Sequence, residues 1–108
     1  MKFYIKLPDM ECLSGDTLPA FHVKVEGADL SGCTMQLILA HSHSPNTAAL
    51  VKDCTAEAGG FTVQLTSGDT EKLTEDTYML HFCLTAPNGI NLRKLAGELY
   101  VHSVPRGV

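Results

Sequence analysis

An all-β sandwich is the fold class this sequence predicts, and three observations carry the prediction. Apolar residues alternate in twos more often than they recur in steps of three or four. Turn-forming residues interrupt that alternation about every dozen positions. The 108 residues are 44% hydrophobic and 19% charged, which suits one core in a single domain spanning residues 1–108.

Taken in chain order, Phe3 to Leu7 reads as a weakly patterned first strand. The clearest strand follows, with Phe21, Val23 and Val25 on one face and His22, Lys24 and Glu26 on the other. Asp29-Leu30-Ser31-Gly32 marks a turn before a strand at Thr34 to His41, and Ser42-His43-Ser44-Pro45-Asn46 is a polar break before another at Ala49 to Cys54. After Gly59-Gly60, Phe61, Val63 and Leu65 face one way and Thr62, Gln64 and Thr66 the other. Thr66 to Leu73 breaks the rhythm. Hydroxyl residues precede acidic ones there, as the first turn of a helix prefers, and predict one short helical turn. Tyr78, Leu80, Phe82 and Leu84 then alternate with Met79, His81 and Cys83. Pro87-Asn88-Gly89 predicts a hairpin, with proline at the first central position of a type I turn and glycine supplying the positive φ that follows. The last strand runs from Leu92 to His102 with a bend expected at Gly97, and Val104 to Val108 reads as a tail.

The count is seven strands. Tyr78 opens its strand just after the connecting turn, the position at which a sandwich tyrosine tucks its hydroxyl back onto the preceding backbone; a plain core tyrosine is the alternative. Together these features predict an immunoglobulin-like antiparallel β-sandwich of about seven strands with one short helical turn. Its expected core is Phe21, Val23, Val25, Leu37, Phe61, Val63, Leu65, Tyr78, Leu80, Phe82, Leu99 and Val101.

Eight Lys and Arg against twelve Asp and Glu leave a net charge of −4, which disfavours nucleic acid as a partner. The longest apolar runs, Leu37 to Ala40 and Ala48 to Val51, are far shorter than the roughly 20 residues that cross a bilayer, so no membrane partner is expected. No apolar signal stretch follows Met1, which predicts a chain cytoplasmic at synthesis. Cys12, Cys33, Cys54 and Cys83 stand 21, 21 and 29 residues apart without a close pair, and reduced, partly buried thiols are the expectation.

His41-Ser42-His43 puts two imidazoles on one side of an extended segment, a spacing that can bind a transition metal. A third donor would most naturally be His81. Register opposes it, since His41 follows Met35, Leu37 and Leu39 on the core-facing side while His81 lies opposite Leu80 and Phe82. A solvated polar loop is therefore the favoured reading, and His22 and His102 read as surface side chains. Gly15-Asp16-Thr17 and Ser67-Gly68-Asp69 hold nucleophile-type atoms but read as turn formers. No nucleophile elbow, glycine-rich phosphate loop, dinucleotide fingerprint or calcium loop is present. The expected catalytic, cofactor-binding and metal-binding residues are accordingly none. Tyr4 and Tyr100 remain as rings that can be exposed for stacking on a sugar.

The order of elements from about residue 13 to residue 104 resembles a family of small β-sandwich domains in tailed-phage and prophage structural proteins, including the amino-terminal domain of baseplate upper proteins. The resemblance rests on Gly15-Asp16-Thr17 before the strand through Phe21, Val23 and Val25, then Asp29-Leu30-Ser31-Gly32-Cys33-Thr34. It continues through Phe61 to Thr66, Asp69-Thr70, Leu73, Asp76-Thr77-Tyr78, Leu84 to Gly89, and the closing Leu95 to Val101. The chain departs from that pattern at Glu26-Gly27-Ala28 and in the polar His41 to Thr47 loop. The resemblance implies a virion structural or assembly protein, tail or baseplate associated, made in the host cytoplasm. Such a protein would be no enzyme, would need no cofactor, and would act through contacts with its own copies or other virion proteins. The competing expectation is an adhesion or ligand-binding sandwich that reads a host glycan or protein through loops near His41 to Asn46.

Overall fold

The computed structural model describes residues 2–6 and 11–104. Nine strands and one helix occur among them, in the order β1 (Lys2–Lys6), β2 (Glu11–Leu13), β3 (Phe21–Glu26), β4 (Thr34–His41), β5 (Ala48–Asp53), β6 (Thr55–Glu57), β7 (Gly60–Val63), α1 (Ser67–Glu71), β8 (Asp76–Thr85) and β9 (Asn91–His102). The chain is all-β with two sheets, one ordered β1-β3-β7-β6 and the other β2-β9-β8-β4-β5. Every pairing is antiparallel except that of β2 with β9, which is parallel. Leu7 and the tail from Pro105 to Val108, both assigned from the sequence, lie outside the described residues.

Seven strands is therefore too few. The two additions, β2 and β6, are three residues each, too short to show a period. Pairing places them: Glu11, Cys12 and Leu13 lie against Tyr100, Val101 and His102, and Thr55 to Glu57 against Gly60 to Thr62. Between β5 and β6 the chain changes sheets at Cys54, whose N–H donates to the Met35 carbonyl (2.9 Å).

Side chains from both sheets meet in one core cluster, and all twelve residues expected there are buried. β3 shows the cleanest alternation, its odd positions buried and its even positions exposed. β8 is blurred because it is an interior strand of its sheet, flanked by β4 and β9, so Met79, His81 and Cys83 on its outer face are shielded as well.

Local chemistry sets the turns as the sequence predicts. Thr66 caps α1 and Asp69 returns the bond to the Thr66 N–H, closing a capping box. At the β8–β9 hairpin Gly89 takes φ +85°, and its N–H donates to the Ala86 carbonyl (2.9 Å) around Pro87 and Asn88. The bend expected at Gly97 is a β-bulge: Leu80 pairs with Gly97 and His81 with Leu95, leaving Ala96 unpaired. Thr70 is the one buried polar residue among those described, and it ties α1 to the loop after β2. Its hydroxyl donates to the Asp16 carbonyl (2.7 Å) and accepts from the Gly15 N–H (3.0 Å).

Candidate functional site

β4 pairs with β8 along its whole length, ending with His41 opposite Tyr78, and β8 begins two residues earlier at Asp76. Antiparallel partners point to the same face, so His41 shares the face of Tyr78. Asp76, two residues before Tyr78, points the same way just beyond the end of the packed core. The Ser42 N–H donates to the Thr77 carbonyl (3.0 Å), and the Ser44 N–H to the His41 carbonyl (3.0 Å), which closes a tight turn carrying His43. These bonds bring both imidazoles onto one carboxylate oxygen. His41 Nδ1 lies 2.7 Å from Asp76 Oδ2, and His43 Nε2 lies 2.8 Å from the same atom.

The surroundings of this cluster are graded. His41 and Asp76 side chains are 27% and 26% exposed, whereas His43 is 68% exposed. The His41 ring packs on both the His43 ring (5.0 Å between centroids) and the Tyr78 ring (4.7 Å). Asp76 Oδ1 accepts the Thr77 N–H (2.8 Å). That backbone bond, with the bonds from His41 and His43, holds the Asp76 carboxyl below the usual carboxylate range. Tyr78 is itself fixed, because its hydroxyl donates to the Thr74 carbonyl (2.7 Å), the tyrosine-corner bond anticipated from the sequence.

His81 does not join this cluster. It lies on the outer face of the five-stranded sheet, where register places Val51, Ile38, His81 and Leu95 in line across β5, β4, β8 and β9. Leu95 and Val51 are 51% and 49% exposed. The buried His81 Nε2 has no hydrogen-bond partner among the described residues. The adjacent row reads Asp53, Gln36, Cys83 and Arg93, with an acid at one end and a base at the other.

The remaining candidates are placed singly. His22 reaches Glu57 (3.0 Å) on the outer face of the four-stranded sheet, and His102 stacks edge-on against Tyr100 (4.4 Å). A cleft of about 690 Å³ opens between Tyr4 and the Glu57–Gly60 turn. Gly15 to Thr17 and Ser67 to Asp69 bond to Thr70, to Leu13, to Lys52, to the α1 cap and to each other. All four cysteines are free thiols. Burial, helped by the charge of Asp53, pushes the Cys54 thiol up to about 11, and burial raises Cys12 as well, so neither is an activated nucleophile.

Asp76 is the residue that sequence reasoning missed. It was legible only as the opening of a strand, yet the pairing of Tyr78 with His41 places it diagonally beside the imidazole. Comparison of the chain with protein-family models, with curated proteins and with solved structures finds no match in any of the three.

Proposed function

We propose that this protein is a non-catalytic structural module of the phage and prophage class its sequence resembles, an immunoglobulin-like sandwich that assembles through contacts between copies of itself. The sandwich reading is supported by the strand orders and by the Tyr78 corner, while the parallel pairing of β2 with β9 departs from the wholly antiparallel arrangement expected. The assembly reading is carried by one observation, the row Val51, Ile38, His81 and Leu95 on the outer face of the five-stranded sheet, whose end residues Val51 and Leu95 are exposed hydrophobics flanking the half-buried Ile38 and His81.

A second copy suits that face. A two-fold axis parallel to the strands lays each row on its own reverse. Val51 then faces Leu95 of the second copy and Ile38 faces His81, while in the next row Asp53 meets Arg93. The exposed apolar ends of the first row thus meet each other, and the charged ends of the second row are complementary.

Light scattering coupled to size-exclusion chromatography on the reduced protein, over a concentration series, tests the reading. A discrete oligomer that persists on dilution is expected, and Leu95→Glu should convert it to monomer without lowering the melting temperature. A strict monomer at every concentration would sink self-assembly. It would transfer weight to the ligand-binding alternative, which reads a host glycan or protein through the loops near His41 to Asn46.

A further inference from the structure

We infer that His41, His43 and Asp76 form a three-ligand site for a borderline divalent transition ion of the zinc class. One ring nitrogen from each histidine and an Asp76 carboxylate oxygen all lie within 4.8 Å of one another. In a tetrahedral site with bonds of about 2.0–2.1 Å, neighbouring donors stand about 3.3 Å apart. The two imidazole nitrogens lie 2.7 and 2.8 Å from Asp76 Oδ2, so an ion needs each contact to open by roughly half an ångström. His43, the most exposed of the three, can supply much of that by side-chain rotation.

The donor chemistry selects the ion. Two imidazoles and one carboxylate suit Zn2+, Co2+ or Ni2+, whereas Ca2+ and Mg2+ prefer shells of oxygen. Two neutral imidazoles and one carboxylate give a divalent ion a local charge of about +1, so it is not over-neutralised. Three protein donors leave a position for water or for a donor from another molecule.

The supporting shell separates this cluster from a chance meeting of surface side chains. The carboxylate is oriented by the Thr77 N–H, and the His41 ring is held against Tyr78, which is anchored to Thr74. His43 sits in a turn closed by the Ser44 N–H to the His41 carbonyl, and that turn is tied to β8 through Ser42 and Thr77. A backbone bond thus orients the carboxylate, ring packing holds His41 and the closed turn places His43 beside them before any ion arrives, which lowers the ordering cost of binding.

The site lies at the end of the core-facing side of the five-stranded sheet, while the proposed assembly surface is on that sheet's outer face. The two inferences therefore fail independently. Calorimetric titration of Zn2+ into the reduced full chain, in a phosphine reductant, tests the site directly. One equivalent should bind and raise the melting temperature. His43→Ala, at an exposed turn position, should weaken binding at least about ten-fold while leaving the metal-free melting temperature unchanged, and Asp76→Asn should weaken it similarly. His81→Ala should leave it unchanged. Absence of binding at sub-millimolar Zn2+, or equal affinity in wild type and His43→Ala, would overturn the assignment. The second result would place the ion elsewhere on the chain.

Discussion

Tyr78 shows how much one residue does when its two ends have different partners. Its ring is fully buried in the core, its hydroxyl is bonded to the Thr74 carbonyl, and the His41 imidazole packs tilted on the ring. Tyr78→Phe keeps the apolar contacts and removes the bond to Thr74, so it should cost about 0.5–1.5 kcal/mol in chemical denaturation with the m-value unchanged. A cost near zero would mean that water replaces the hydroxyl at Thr74. Gly60 is constrained in another way. A Cβ there would sit 1.9 Å from the Val23 carbonyl oxygen, because β3 and β7 approach closely where the hairpin from β6 turns in.

At the scale of elements, α1 is a single turn and is stable only because both its ends are tied down. Isolated helices of this length do not persist in water. Asp69 closes the capping box and pairs with Lys52 from the inward side of β5. Burial opposes ionisation of the Asp69 carboxyl, but the Lys52 ammonium and the Thr66 bonds outweigh it and hold its pKa below the usual value. A carboxyl that titrates lower in the folded chain than in the unfolded one stabilises the fold fully above its unfolded value. That contribution is lost as pH falls through the folded value. Asp69→Asn should therefore lose about 1 kcal/mol at pH 7. The difference from wild type should shrink below about pH 4, the range in which Asp carboxyls protonate. Urea midpoints at neutral and acid pH would show it, and a constant difference would assign the loss to packing.

The whole molecule depends on a core to which both sheets contribute. Phe82 sits in it with no exposure, beside strands β4 and β9 and within the cluster that includes Phe21, Val23 and Phe61 from the other sheet. Phe82→Ala should cost about 3–5 kcal/mol, a large part of the stability of an ordinary domain. The loss should appear in a single cooperative unfolding transition seen alike by fluorescence and far-ultraviolet circular dichroism. Two separated transitions would mean that the sheets unfold independently.

The local patterns were legible in the sequence because they are set by near neighbours. Alternation with a period of two assigned Phe21, Val23 and Val25 inward and His22, Lys24 and Glu26 outward. Thr66 and Asp69 announced the helix, and Pro87 to Gly89 the hairpin. Register also separated His41 from His81 correctly, since residues of opposite parity on paired strands point to opposite faces. Which strands become neighbours was not legible, because long-range pairing is decided by the packing of the complete core and leaves no local period. β2 and β6 exist only through their partners, Thr70 is buried only because the loop after β2 closes over α1, and Asp76 meets His41 and His43 only because β4 lies beside β8. The sequence by itself determined the faces of the strands. Tertiary structure decided which faces and ends meet, and with them the apolar row and the three-donor cluster.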